Sequence, residues 1–225
     1  MKIIKKVYKI IIATALVASI SVGLQGCSTD SDKPFEEGIH YRELRGLDKT
    51  DDDQVVLFFS AACPHCKKFD EYLKGWEQQR SSDITYERIP VTFAKKEWAL
   101  LSKIYAVGRQ LGSQDKVVHA LFKSIQEDRI WWTQDYEVIQ WFGDLGFDLQ
   151  TVDNLWKANS TVELMKRYTR SEGRYAVSSI PRLIINGKYE LITKGFEDKN
   201  AADLKEPSLE SKTNISNAIN YILTL

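Results

Sequence analysis

Cysteine is scarce in this sequence, and the scarcity argues against two kinds of protein. Three cysteines occur among 225 residues, namely Cys27, Cys63 and Cys66. A small exported domain stapled by disulfides carries more of them. A structural zinc site needs four ligands, yet the histidines outside the cysteine pair, His40 and His119, lie in unrelated segments. We therefore expect no metal site, and nothing in the sequence implies an organic cofactor.

An excess of basic residues is also missing. The chain has 31 lysines and arginines against 31 aspartates and glutamates, and four of the lysines lie within the first nine residues. Without this N-terminal stretch, 27 basic and 31 acidic residues remain, which gives a net charge of −4. Nucleic-acid-binding domains present a basic patch or stripe, and this sequence has none. We therefore expect no nucleic acid partner.

The N-terminus has the pattern of an export signal. Four lysines and no acid occupy residues 1–9, and an apolar run follows from Ile10 to about Leu24. A basic segment followed by a short apolar one is typical of a secretory signal peptide. A transmembrane anchor is the alternative, but a spanning helix needs about 20 apolar residues and this run is shorter.

The apolar run ends in Leu24-Gln25-Gly26-Cys27, which resembles the lipobox of bacterial lipoproteins. The resemblance implies that residues 1–26 are a signal peptide removed after Gly26 and that Cys27 carries lipid in a bacterial membrane. Ser28–Lys33 is small, polar and charged, so residues 27–34 suit a flexible tether. Because Ser28, and not aspartate, follows the cysteine, sorting to the outer membrane is favoured in a bacterium with two membranes.

A strand and a helix flank the second and third cysteines. Val55–Ser60 is a short apolar run rich in β-formers and predicts a buried strand. Cys63-Pro64-His65-Cys66 follows, and Pro64 suits the first turn of a helix. Ile84–Val91 predicts a second strand that ends around Pro90. Apolar side chains after the motif recur at helical spacing and predict a helix that begins at or near Cys63; they are Phe69, Tyr72, Leu73 and Trp76.

The rest of the chain divides into a helical stretch and a return to strands. Residues from about 95 to 170 carry amphipathic helical patterns. Leu183–Ile185 and Lys188–Ile192 flank Asn186-Gly187, which predicts a β-hairpin, and Ile215–Leu223 predicts a final helix. This order predicts an α/β fold with a thioredoxin-like core, residues 35–94 and 171–225, that is interrupted by a helical insertion of about residues 95–170.

The pair Cys63 and Cys66 is best explained as a redox-active dithiol between a strand and a helix. A helix N-terminus offers free N–H groups and the positive end of the dipole to Cys63, which favours its thiolate. Cys66 lies one turn deeper and faces inward, so it can close the disulfide. His65, between them, is expected to stabilise the thiolate further.

Three separate segments resemble the DsbA family of disulfide oxidases. They are Leu57–Cys66, then Leu111-Gly112 with Asp115-Lys116-Val117 and Leu121-Phe122, and finally Ile180-Pro181 with Asn186-Gly187-Lys188-Tyr189. The resemblance implies catalysis by Cys63, His65 and Cys66. It also implies a cis peptide bond at Pro181 and substrate contacts from Pro64, Ile180 and Pro181. Without the resemblance, Pro181 would be read as an ordinary trans proline before a strand.

Two positions depart from the family pattern. Many members carry a buried glutamate in the strand before the motif and a lysine on the neighbouring strand, whereas this sequence has Leu57 and Arg88. Arg182 follows the expected cis-proline, and it places a cation near the substrate groove unless its side chain is solvated.

The expected function is oxidation of thiols in exported proteins on the periplasmic side of a bacterial membrane. The resemblance implies reoxidation by a DsbB-like, quinone-linked membrane partner, and we expect a monomer. The chemistry run in reverse, as a disulfide reductase or isomerase, stays open because direction depends on the redox potential. A non-catalytic peptide-binding chaperone is the alternative from another class.

Overall fold

The computed structural model describes residues 34–196 and 209–225. The expected signal peptide, Cys27 and the tether up to residue 33 lie outside the described residues. Within the described ranges, none of the helices has both the length and the apolar character needed to cross a membrane.

Five strands form one mixed sheet in the spatial order β1-β5-β4-β2-β3. Strands β2 and β3 run parallel, and the pairs β2–β4, β4–β5 and β1–β5 are antiparallel. This arrangement confirms the predicted α/β class. The strands are β1 (Tyr41–Glu43), β2 (Gln54–Phe59), β3 (Thr85–Pro90), β4 (Arg182–Ile185) and β5 (Tyr189–Leu191).

Seven α-helices are described, and five of them follow one another between β3 and β4. A π-helical turn, Lys123–Glu127, continues the third, and a 3-10 turn, Thr193–Phe196, follows β5. The insertion helices reach Arg174, past the expected limit near residue 170. The helices are α1 (Pro64–Gln79), α2 (Lys96–Gln110), α3 (Gln114–Phe122), α4 (Asp135–Asp144), α5 (Leu149–Lys157), α6 (Asn159–Arg174) and α7 (Leu209–Leu223).

Strand β2 lies in the interior of the sheet because it has no polar face. Its residues from Val55 to Phe59 are all buried, as expected for a strand covered by helices on both sides. Phe59 pairs with Pro90 of β3, and Phe58 pairs with Arg182 of β4. The carboxyl end of β2 therefore delivers the cysteine motif directly beside the start of β4.

The predicted hairpin is present, and its asparagine does more than turn the chain. Asn186 and Gly187 have φ angles of 49° and 67°, the left-handed values that a tight hairpin turn needs. Asn186 is fully buried. Its side chain accepts a hydrogen bond from the Gln54 N–H at 2.9 Å and donates one to the Leu223 carbonyl at 3.2 Å. The turn thus ties the start of β2 to the end of α7.

Helix α1 is held on the sheet by α7. Its apolar side includes Phe69, Leu73 and Trp76, which are buried. The Trp76 indole N–H donates to the Asn220 side chain of α7 at 2.9 Å, which satisfies the one polar atom of a buried indole. The buried side of the helix that carries the cysteine motif is therefore fixed, while Pro64 and His65 of its first turn are exposed.

Candidate active site

Cys63 occupies the N-cap of α1. Its backbone is extended, with φ −97° and ψ 114°, and Pro64 follows in the first turn. No side chain caps the helix, and its first turn contains no acidic residue. The free N–H groups and the positive helix dipole therefore act on the Cys63 sulfur without a competing anion.

Several contacts lower the pKa of Cys63 to about 6. The largest is a hydrogen bond from the Cys66 thiol, and burial opposes it. Hydrogen bonds from the backbone of Cys66 and His65 and the charge of the His65 imidazole lower the pKa further. The shift has the sign predicted from the sequence, although the partner thiol contributes more than the helix terminus.

Cys66 is fully buried, with a relative exposure of 0%. Both cysteines are free, so the structure is that of the dithiol form. Burial raises the pKa of the Cys66 thiol, and its hydrogen bond to Cys63 raises it further. The two sulfurs therefore differ in kind: Cys63 is partly exposed and favours the thiolate, whereas Cys66 is enclosed and keeps its proton.

The structure brings six of the seven expected site residues together. Pro64 and His65 are exposed beside Cys63, and Ile180 and Pro181 are half-buried. The Ile180–Pro181 peptide bond is cis, and the carbonyl oxygen of Ile180 lies 3.9 Å from Cys63 Sγ. The seventh residue, Cys27, lies outside the described residues.

Gln126 contacts the motif from the insertion, and the sequence analysis missed it. The side chain lies in the π-helical turn and donates hydrogen bonds to the carbonyls of Ala61 at 2.7 Å and Cys63 at 3.1 Å. Next to it, Lys67 of α1 forms an ion pair with Glu127. A π-helical turn has no clear sequence signal, because it differs from an α-helix only by a local change in hydrogen-bond spacing.

A buried ion cluster lies under α1. Arg88 of β3 is only 4% exposed and pairs with Leu57 in the strand register. Its guanidinium contacts Asp70 at 2.9 Å, Glu77 at 2.7 Å and Asp115 at 2.7 Å. The sequence offered no acid in β2 to accompany Arg88, and the structure supplies three acids from α1 and α3 instead. A buried arginine needs such partners, because unpaired charge in the interior is costly.

His119 of α3 completes this cluster at the surface. Its Nε2 lies 3.3 Å from the second carboxylate oxygen of Asp70. Hydrogen bonds and the charges of His119 and Arg88 lower the pKa of Asp70 against the opposing effect of burial, and Asp70 raises the pKa of His119 in turn. In the described part of the chain, no group of three or more His, Cys, Asp or Glu side chains is arranged to hold a metal ion.

Comparison with known proteins agrees with this geometry. A family model described as Thioredoxin matches residues 46–202. The thiol:disulfide interchange protein DsbA of Pseudomonas syringae is 26% identical over 183 residues, covering 80% of this chain and 84% of that protein. The protein of the same name from Pseudomonas aeruginosa is 23% identical over 182 residues, again covering 80% and 84%.

Solved structures share the fold. A DsbA of Proteus mirabilis with the non-covalently bound peptide PWATCDS has a TM-score of 0.74 and 24% identity, covering 86% of this chain and 100% of that one. A DsbA of Klebsiella pneumoniae has a TM-score of 0.73 and 18% identity, with the same coverage. The chain therefore belongs to the thioredoxin family, and it is a thiol:disulfide oxidoreductase of the DsbA type.

Proposed function

We propose that the protein works as an oxidase, with Cys63 as the attacked sulfur and Cys66 as its buried partner. The observation that carries this proposal is the inequality of the two thiols. The reduced form gains stability from an ionised Cys63, so the disulfide accepts electrons readily. A pair of two neutral, equally buried thiols would have favoured a structural disulfide.

The reaction is two exchanges at sulfur. A substrate thiolate attacks Cys63 Sγ of the Cys63–Cys66 disulfide, and Cys66 leaves with the bonding electrons and takes up a proton. A second substrate thiolate then attacks the substrate sulfur of the mixed disulfide and releases Cys63 as a thiolate. The substrate loses two electrons and gains a disulfide, and the enzyme gains the two electrons as a dithiol. A low pKa makes Cys63 a good leaving group in the second step.

The substrate is proposed to lie across the motif and the start of β4. Pro64, which follows Cys63 in the chain, is exposed, and the Ile180 carbonyl oxygen lies 3.9 Å from the Cys63 sulfur. An extended peptide can pair with the backbone at Ile180 while its cysteine reaches Cys63. The peptide bound to the Proteus mirabilis DsbA contains a cysteine, which supports a peptide site of this type.

The clients are proposed to be exported proteins with free thiols. Lipid on Cys27 would hold the domain on the periplasmic side of a bacterial membrane. In the inner membrane, a DsbB-like quinone-linked oxidase could withdraw the two electrons. At the outer membrane, which Ser28 favours, small-molecule disulfides would have to replace that partner.

Equilibration with glutathione tests the direction of the reaction. We expect a reduction potential above about −180 mV, on the oxidising side of the range for this fold. A value near about −270 mV would instead identify a reductase. Refolding of a reduced two-cysteine client in the presence of the oxidised protein is the parallel test, and binding of the client without disulfide formation would favour the non-catalytic chaperone.

A further inference from the structure

Arg182, which follows Pro181 at the start of β4, is neither a free cation in the groove nor solvated. Its side chain is only 11% exposed. One terminal nitrogen, Nη1, donates to the carbonyl oxygens of Tyr175 at 2.6 Å and Ala176 at 3.3 Å. The other, Nη2, forms an ion pair with Glu190 of β5 at 2.8 Å. The guanidinium therefore joins the sheet to the segment that leads into Ile180.

This segment, residues 175–181, packs on the core through Tyr175 and Val177, each 8% exposed, and the Tyr175 ring lies 5.6 Å from that of Phe58 in β2. The N–H groups of Tyr175, Ala176 and Val177 bond back to the end of α6. Beyond Val177, we find no backbone hydrogen bond from residues 178–180 to any other described residue. Among the described residues, the hydrogen bonds that join this segment to the sheet are those from Arg182 to the Tyr175 and Ala176 carbonyls.

Glu190 forms ion pairs with two arginines, Arg42 and Arg182. Arg42 of β1 contacts the same carboxylate at 2.8 Å, but its side chain is 59% exposed. Only Arg182 also reaches the carbonyls of residues 175 and 176. Glu190 thus lies between Arg42 and Arg182, and of these two arginines only Arg182 bonds to the segment beside Cys63.

We propose that Arg182 is a positioning residue, which holds residues 175–181 so that the Ile180 carbonyl faces Cys63. The backbone at Ile180, here called the peptide-binding edge, is then already in place when a substrate peptide arrives. This inference rests on the proposed function, in which that edge binds substrate. Fixing the edge in advance removes an ordering cost from peptide binding. A small thiol does not use the edge, so its reaction with Cys63 is independent of Arg182.

Arg182 is expected to act by positioning the segment and not by changing the electrostatic potential at Cys63, because Glu190 neutralises its charge. The groups that shift the pKa of Cys63 are Cys66, burial and His65. Loss of Arg182 is therefore expected to leave the Cys63 thiolate unchanged while it loosens the segment. A residue that tunes the redox pair would instead change the pKa of Cys63 when it is replaced.

The test compares Arg182→Gln with Arg42→Gln in the chain from residue 27 onward, with lipid replaced by a free N-terminus. The oxidised proteins react with a reduced two-cysteine peptide and, separately, with dithiothreitol. Because hydrogen bonds from a charged donor are being lost, we expect Arg182→Gln to raise the KM for the peptide about tenfold. We expect its dithiothreitol rate and its 240 nm thiolate titration (about the wavelength where thiolates absorb) to match the parent.

Arg42→Gln is the matched control, since it removes a partner of the same Glu190, and its KM is expected to stay within about twofold of the parent. Arg182→Lys keeps the charge but lacks the forked geometry, so an intermediate KM is expected. If Arg182→Gln does not fold, as judged by its thermal transition, Arg182→Lys carries the comparison. Faster hydrogen exchange at residues 178–180 in the Arg182 variants, but not in Arg42→Gln, is the structural readout.

Three results would overturn the inference: an unchanged peptide KM in both Arg182 variants, an equal loss with peptide and dithiothreitol, or an equal effect of Arg42→Gln. These results differ from a failure of the proposed function. In that case the parent protein itself would not oxidise the peptide, whatever residue stands at position 182.

Discussion

Cys63 Sγ lies 3.9 Å from the carbonyl oxygen of Ile180, although 117 positions separate the two residues in the chain. The contact exists because β2 and β4 are adjacent and antiparallel, with Phe58 opposite Arg182. One strand ends in the cysteine motif at the point where the other begins. The site therefore combines a sulfur fixed at a helix N-terminus with backbone that a peptide can pair with, and its chemistry can be tested group by group.

The first prediction concerns the ionisation of Cys63. In the reduced protein, thiolate absorbance near 240 nm (about where thiolates absorb) is expected to titrate with a midpoint of about 6. Because the hydrogen bond from Cys66 is the largest contribution to this low pKa, Cys66→Ala is expected to raise the midpoint. His65→Gln is expected to raise it less. A parent midpoint near about 8.5, the value of a free cysteine, would contradict the assignment of Cys63.

The second prediction links stability to redox state and pH. The pKa of Cys63 is lower in the folded than in the unfolded protein, so its contribution is fully present above the unfolded pKa and is lost as pH falls through about 6. The reduced protein is therefore expected to melt at a higher temperature than the oxidised one at pH 7. Thermal melts of both forms from pH 5 to 8 measure this, and the difference should shrink toward pH 5. A higher melting temperature for the oxidised form at pH 7 would indicate a structural disulfide.

The third prediction concerns the buried ion cluster. Arg88→Met leaves Asp70 without its buried cationic partner, and we expect a loss of about 3–5 kcal/mol in the free energy of unfolding. Replacing Asp70 with leucine in the same protein should recover part of this loss, because Asp70 is the most buried of the three acids that pair with Arg88. Lys157→Met breaks an exposed ion pair with Asp153 and is expected to cost less than about 1 kcal/mol. Denaturant titration compares the variants, and equal costs for Arg88→Met and Lys157→Met would be inconsistent with a buried cluster.

Local patterns in the sequence predicted the strands, the helix and the hairpin around the candidate site, whereas the cis bond at Pro181 was implied only by the family resemblance. The apolar run before Cys63, the helical spacing after it and the Asn186-Gly187 turn each depend on neighbours in the chain, and each element is present. The partners of Arg88 and the contacts of Gln126 were not predictable in this way. They join β3, α1, α3 and the π-helical turn across the core and the insertion. Such contacts depend on how helices pack, which periodicity alone does not specify.

The environment of Arg182 was likewise not predictable from local patterns in the sequence. The sequence placed a cation beside the expected groove, but its environment depends on Glu190, which reaches it only after β5 pairs with β4. The sequence suggested that the Arg182 guanidinium could contact substrate, whereas in the structure it pairs with Glu190 and donates to the Tyr175 carbonyl. The residue type was visible in the sequence, whereas its role follows from partners that the fold brings to it.

The last prediction concerns the division of labour between the two cysteines. Cys63 is partly exposed and favours the thiolate, whereas Cys66 is fully buried and keeps its proton. A substrate can therefore reach only Cys63 at the start of the reaction. In Cys66→Ala, the Cys63 thiolate can still attack a client disulfide, which releases one client sulfur as a thiol and leaves a mixed disulfide at Cys63. Cys66 can no longer displace the client from that mixed disulfide, so covalent complexes with client proteins are expected to accumulate. In Cys63→Ala, the remaining thiol is enclosed and protonated, so almost none should form.

Reductant-sensitive bands on a non-reducing gel report the complexes, and the double variant gives the background. Equal trapping by the two single variants would refute the assignment, and no trapping by either would favour a protein that binds peptides without exchanging disulfides.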